Sequence, residues 1–290
     1  MKLICLFIGL LYFFAIVSVS AQDNLQNYTP SILFDKGEWE FKSFQNLYTQ
    51  TQSFGEKALE KVAIPSGRET FFTSINQFLY GINDQINVGF DVWVKHVDLA
   101  NGMFTNRTAI SGLGPKIKIA PFKGLRRLSI QSTYLFPVAE DLESRDPQAA
   151  QPFLFLETDK SLWLTQFFYD KPINDQWQLF FQQAFWVNFV RDSFRENNFF
   201  QTQTSAFVSF FPNTRWTLYG MAEYFPTHYN DQEQSFEGFN NYFIQSGLGT
   251  KYQLVPNFIE LELLYTNFWV GSQGSGAGST YNLGIRIIRQ

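Results

Sequence analysis

From about residue 38 onward, apolar and polar residues alternate with a period of two, the spacing of β-strands with one face in apolar surroundings. The clearest case is 86–95, where Ile86, Val88, Phe90, Val92 and Val94 alternate with Asn87, Gly89, Asp91, Trp93 and Lys95. In 177–189, Trp177, Leu179, Phe181, Phe185, Val187 and Phe189 share one face, and Gln178, Gln182, Ala184 and Asn188 the other. Near the end, Tyr281, Leu283, Ile285 and Ile287 alternate with Asn282, Gly284 and Arg286, and Ile288 breaks the rule. The pattern predicts about twelve strands: 38–49, 71–80, 86–98, 107–121, 126–137, 160–170, 176–190, 199–211, 215–226, 241–254, 258–270 and 280–290. Short connections follow the even-numbered segments, at 81–85, 122–125, 171–175, 212–214 and 255–257, each carrying Gly, Pro, Asn or Asp for the turn. Longer polar connections follow the odd-numbered ones. A soluble sandwich has no reason to sort short and long connections onto opposite ends. A closed antiparallel transmembrane barrel does, with short periplasmic turns and long external loops. The stretch 22–37 precedes the first strand as a periplasmic N-terminal segment, so the barrel occupies 38–290.

Composition agrees. Among 290 residues, 34 Phe, 13 Tyr and 7 Trp make 19% aromatic content, far too much for a disordered chain. Aromatics also fall in two rows at opposite strand ends. Tyr80, Phe122, Tyr169, Trp177, Phe211, Trp216, Tyr252 and Phe258 lie beside the short turns; Tyr48, Phe136, Phe189, Phe225, Tyr242, Trp269 and Tyr281 lie toward the long loops. Girdles at two lipid–water interfaces require such rows, because Tyr and Trp are apolar in body and polar at the tip. Lys plus Arg (22) falls below Asp plus Glu (26), for a net charge of −4 with no basic run, which argues against nucleic acid as a partner.

One long apolar run exists, at the start. Lys2, the core 3–17 and the small residues Val19-Ser20-Ala21 have the layout of a secretory signal peptide spanning 1–21. The single cysteine, Cys5, lies inside it, so no disulfide is available to the exported chain. A cysteine-free, mildly acidic exported protein suits a bacterial envelope.

The ending Ser20-Ala21-Gln22, the turn Tyr80-Gly81-Ile82-Asn83-Asp84 running to Ile86, Val88 and Gly89, and Gly247-Leu248-Gly249 with Lys251-Tyr252-Gln253 resemble outer-membrane β-barrels of Bacteroidota-type Gram-negative bacteria. The resemblance spans nearly the whole exported chain as a pattern. It implies an outer-membrane location, contact with outer-membrane lipid, and a porin-like passage for small solutes. A second reading is a non-conducting barrel that binds a protein partner through external loops such as 141–159 and 227–240. A third, lesser reading is an outer-membrane lipid hydrolase, because Ser193-Phe194-Arg195-Glu196-Asn197-Asn198 is similar to a stretch of that family. The family's catalytic His with a Ser two residues on is missing at both His96 and His228, so no catalytic residue is assigned and no enzyme is expected.

Two distant histidines make no metal site, and the Gly/Ser run 271–279 reads as a flexible loop rather than a phosphate cradle. No cofactor is expected. The alternation also sets which residues face inward. Lys42, Asp91, Lys95, Lys116, Lys118, Arg127, Glu223, Lys251, Glu260, Glu262 and Arg286 fall on the lumen phase. Ile86, Val88, Phe90, Ile117, Ile119, Trp177, Leu179, Leu261, Leu263, Leu283 and Ile285 fall on the lipid phase. Folding the last hairpins brings Lys251 beside Glu260 or Glu262, with Arg286 in reach, and predicts an ionic cluster lining the interior.

Overall fold

The computed structural model describes residues 30–65, 67–99, 106–125, 127–141, 155–191, 198–229 and 241–289. Twelve antiparallel strands close into one barrel: β1 (Trp39–Gln50), β4 (Glu69–Asn83), β5 (Ile86–Leu99), β6 (Arg107–Ile119), β7 (Leu128–Leu135), β8 (Lys160–Pro172), β9 (Trp177–Val190), β10 (Phe199–Phe210), β11 (Trp216–Tyr229), β12 (Asn241–Val255), β13 (Ile259–Gly271) and β14 (Ser279–Arg289). Each strand pairs with its sequence neighbour, and β1 closes the ring between β14 and β4. Closure leaves no sheet edge, which a strand surrounded by lipid requires because nothing there can satisfy a bare backbone group. A two-stranded hairpin, β2 (Gln52–Phe54) and β3 (Lys61–Ala63), lies in the β1–β4 connection and is missed by the alternation, being only three residues a side.

The turns at one end share a device. Asn83, Asn174 and Asn213 each turn a side-chain oxygen onto backbone N–H groups two or three residues on, at 2.9–3.0 Å. Such Asx turns replace the ladder where the chain reverses. At the opposite end the connection 271–279, expected to be flexible, is tied down. Phe54 N–H donates to the Ser275 carbonyl at 2.8 Å, and Ala277 N–H to that of Gln52 at 2.9 Å. Phe54 is buried with Phe268 and Ala277, so the hairpin and the Gly/Ser loop cap each other.

Alternation sorts the side chains as the period demands. Phe90, Ile117, Leu263 and Leu283 are 44–55% exposed on the outer face, while Asn87, Asp91 and Lys95 of the same ladder are buried inside. The outward residues form the apolar belt of a membrane-spanning barrel, with Trp177, Trp216, Trp269 and Tyr281 toward its two edges. Three aromatics assigned above to the girdles face inward instead. Tyr48, Phe211 and Phe225 share the phase of Lys42, Ser209 and Glu223, and an aromatic at a strand end carries no mark of which side it faces. Ile288 is inward and 4% exposed, packed on Leu79 and Phe34, so the break in alternation is an apolar contact inside the lumen.

Candidate functional site: the lumen

Residues 30–37 enter the barrel at the short-turn end. Asn87 holds this segment on both sides of one peptide: the Phe34 N–H donates to its side-chain oxygen (2.9 Å), and its amide donates to the Phe34 carbonyl (2.8 Å). Lys118 reaches the carbonyls of Pro30 and Ile32, each at 2.7 Å, and Ser31 hydrogen-bonds Asp170. Gly81 makes the approach possible, since a Cβ there would sit 2.0 Å from the Asp35 carbonyl oxygen.

Above this floor lies a chamber of about 310 Å³. Its charged wall comes from β1, β12, β13 and β14. Lys251 stands 3.7 Å from Glu262, and Arg286 is hydrogen-bonded to Glu40 and 3.8 Å from Glu260. The registers Lys251↔Glu262 and Glu260↔Arg286 place these pairs directly across the ladder. Tyr219 donates to Glu262 at 2.5 Å; its ring lies over Gly249, where a Cβ would come within 2.3 Å of it. The facing wall, from β7 to β10, carries Gln131, Gln166 and Gln178 with the rings of Phe168, Phe180 and Phe207.

Toward the long-loop end the lumen carries an aromatic collar. Trp93 of β5 meets Trp186 of β9 across the interior at 6.0 Å between ring centroids. Contacts continue through Phe225 (6.0 Å), Phe243 (5.1 Å), Phe268 (4.8 Å), Tyr48 (5.1 Å) and Phe71 (5.9 Å). Leu135, Leu162, Leu164 and Ala184 pack behind the tryptophans.

Residues 155–159 fold inward beside the collar. Leu156 and Thr158 are fully buried, the Phe155 ring lies tilted 4.8 Å from that of Phe71, and Glu157 adopts a φ of 56° that non-glycine residues seldom take. Glu157 is clasped by Lys95, and by Lys160 at 3.0 Å. Burial pushes its carboxyl pKa up, but Lys160 and Lys95 overcome that and hold it at about 2.

The residues expected to face the lumen thus occupy different levels. Lys118, Lys251, Glu260, Glu262 and Arg286 line the chamber together with Lys42. Lys95 lies above, in the Glu157 clasp. Lys116 is 2.5 Å from Asp91 within the wall, with both side chains at most 2% exposed, and neither reaches the chamber. Glu223 accepts hydrogen bonds from Gln203 (2.6 Å), Ser205 (3.0 Å) and Gln245 (2.6 Å). Arg127 stands just before β7, outside the ladder and away from the chamber. Glu40, Asp170 and Tyr219 escaped the sequence reading. Glu40 shares the phase of Lys42, which is the signal that could have found it. The inward aromatics had no such signal, because aromatics occupy both phases. The segments 1–29, 142–154, 192–197 and 230–240, which hold the expected signal peptide, the first part of the 22–37 segment and the Ser193 stretch as far as Asn197, lie outside the described residues.

A closed twelve-strand antiparallel barrel with an apolar outer belt and a polar, partly filled lumen defines the class: an outer-membrane-type β-barrel. No family model and no curated protein matches the chain. Among solved structures it is similar to an outer membrane channel from Pseudomonas putida F1, with 10% identity and a TM-score of 0.68 over 94% of this chain and 100% of that one. The NanC porin is matched at 7% identity and a TM-score of 0.47, over 85% of this chain and 98% of that one. The KdgM porin gives 8% and 0.41, over 86% and 99%. At 10% identity the likeness to the Pseudomonas putida channel is one of fold.

Proposed function

We propose that the protein is a passive channel for small polar solutes in the outer membrane, exported through a cleaved signal peptide at 1–21. The observation that carries this reading is the chamber of about 310 Å³ inside a closed barrel, walled by opposed ion pairs that keep it wet. A twelve-strand barrel is wide enough for a narrow path once side chains have taken their share. Both signs of charge line that path, so weak ion selectivity follows. The fold shared with the Pseudomonas putida channel supports the reading, and the motif at 80–89 supports a Bacteroidota-type source. Lys95, Lys116, Lys118, Arg127, Glu223, Lys251, Glu260, Glu262 and Arg286 are its proposed lumen residues, those of the chamber setting the conductance. No enzymatic step is part of it: His96 and His228 stand at the outer rim, His96 against Thr108 at 2.8 Å and His228 stacked on Phe200.

Purified protein in planar bilayers tests the proposal, and stepwise conductance is the expected result. The second reading, a non-conducting barrel that binds a partner through its external loops, is favoured by one observation. Segments enter the lumen at both ends, 30–37 at one and 155–159 at the other. Persistent silence at every voltage and salt concentration decides for it.

A further inference from the structure

Where β1 meets β4, four polar side chains interrupt the apolar belt. On β1, Ser43 and Gln45 alternate with Lys42 and Phe44; on β4, Ser74 and Asn76 alternate with Gln77 and Leu79. Lys42, Phe44, Gln77 and Leu79 line the chamber, so Ser43, Gln45, Ser74 and Asn76 point outward. The ladder sets Ser43 opposite Asn76 and Gln45 opposite Ser74. The first pair stands four rungs from Trp39↔Tyr80 at the short-turn end, and the second four rungs from Thr49↔Thr70 at the other. The patch therefore lies at mid-height of the span. Apolar neighbours flank it, with Ile285 and Leu283 of β14 on one side and Val92 and Val94 of β5 on the other. No water reaches that depth in a bilayer to satisfy a polar group.

The four side chains form a chain of hydrogen bonds. The Gln45 amide donates to the Ser43 hydroxyl at 2.8 Å, that hydroxyl donates to Asn76 Oδ1 at 2.7 Å, and the Asn76 amide donates to Ser74 Oγ at 3.0 Å. Gln45 is left incomplete. Among the described residues its Oε1 accepts nothing, and its amide has a second hydrogen to give. Other polar side chains of the belt are served within the wall. Gln183 on β9 accepts from Thr204 at 2.7 Å and donates to the Ala184 carbonyl at 3.3 Å, and Trp163 Nε1 donates to Ser132 at 2.8 Å. A carboxamide with an acceptor and a donor unused is costly in hydrocarbon until a neighbour supplies both.

A carboxamide is its own complement, because donor and acceptor stand side by side and two such groups exchange N–H···O bonds. Copies inserted into one membrane share one sidedness, so a two-fold axis between them runs along the membrane normal. Each residue then meets the other copy at its own height, and the contact uses the same patch on both. Gln45 faces Gln45 and Ser74 of the second copy, while the apolar flanks meet each other. We propose that the β1–β4 outer face is a self-association surface, on which a second copy of this chain seats within the membrane and Gln45 bonds across the axis. This goes beyond the channel reading, since the outer face is the same whether or not the lumen conducts.

The test is disulfide capture in the outer membranes of expressing cells, where all copies share one orientation. In a chain whose single native cysteine is removed by Cys5→Ser, Leu47→Cys places a thiol beside Gln45 on the outer face. Val187→Cys places one on β9, six strands from β1 in either direction. A lipid-soluble oxidant should give a covalent dimer from Leu47→Cys and none from Val187→Cys. Sedimentation of the folded barrel in detergent micelles should show a dimer, and Gln45→Leu should weaken it about tenfold, since the bonds across the axis are lost. The heat-dependent gel shift of that variant should stay. Should Gln45→Leu fail to fold, Gln45→Met takes its place, and the capture experiment leaves Gln45 untouched. Equal capture through both cysteines, which marks random collision, overturns the proposal. So does capture of a different protein through Leu47→Cys, a barrel that sediments as a monomer at every concentration, or a folded Gln45 variant that pairs as tightly as the unaltered chain. Conductance reads the lumen and capture reads the outer face, so the channel and the self-association surface fail separately.

Discussion

Two ion pairs illustrate what single residues contribute here. Asp91 and Lys116 are buried together between β5 and β6, with the Gln77 amide also donating to Asp91 at 3.0 Å. Asp91→Asn strands the Lys116 ammonium in a dry site, and losing one partner of a buried pair costs about 3–5 kcal/mol. The expected result is a lower urea midpoint for the variant in detergent, with no change in denaturant slope. Glu157 is different because it lies in a loop and stands partly open to solvent, with its side chain 29% exposed. Its pKa is lowered from 4.5 to about 2 in the folded protein, so its contribution is complete above about 4.5 and is lost as pH falls toward 2. The clasp on Lys95 and Lys160 is therefore indifferent to pH near neutrality. Limited proteolysis should find 155–159 protected at pH 7 and increasingly open below pH 4. Glu157→Gln should open it at pH 7, at a cost of about 2 kcal/mol.

At the scale of elements, the segment 30–37 is held to the barrel by one apolar contact and a few hydrogen bonds rather than by a strand ladder. Phe34 is 2% exposed, under Leu79 and Ile288. Phe34→Ala removes most of that anchor, a loss of about 3–5 kcal/mol for a buried phenylalanine. The ladder beneath is untouched. Single-channel conductance should rise or flicker, while the heat-dependent gel shift stays as in the unaltered protein. If neither conductance nor protease access to 30–37 changes, the segment does not close the lumen. The strands themselves were legible because the lipid outside and the polar lumen inside impose opposite demands on alternate positions. The twelve segments from the sequence match the twelve ladder strands with end shifts of at most three residues, the largest at the close of β4 and β11. The β2–β3 hairpin and the tied loop 271–279 were not legible: their order comes from capping each other, a contact between chain positions far apart.

For the whole molecule, closure of the ladder through β1 and β14 is what allows every backbone group to be satisfied in lipid. The folded barrel should resist extraction by carbonate or urea washes and should migrate differently in gels before and after boiling. Release by carbonate contradicts an integral barrel. Where conduction is seen, Glu260→Gln with Glu262→Gln leaves Lys42, Lys251 and Arg286 less opposed in the chamber wall. The reversal potential in a salt gradient should then shift toward anion selectivity, and an unchanged current–voltage curve removes these glutamates from the path.

The sequence by itself determined a closed antiparallel barrel of about twelve strands and which phase of each strand is polar. Each follows from a period-two pattern read against two solvents, and a one-residue slip would turn every strand inside out. It brought Lys251 beside Glu260 or Glu262 with Arg286 in reach, and the ladder registers Lys251↔Glu262 and Glu260↔Arg286 decided between them. Only the tertiary structure decided what meets across the lumen. The Trp93–Trp186 contact, the Glu157 clasp and the seat of Phe34 on Ile288 join residues that no local pattern relates. Whether an inward side chain lines open space or a filled wall depends on the opposite wall. That is why Lys42 faces a chamber and Lys116, on the same phase, does not.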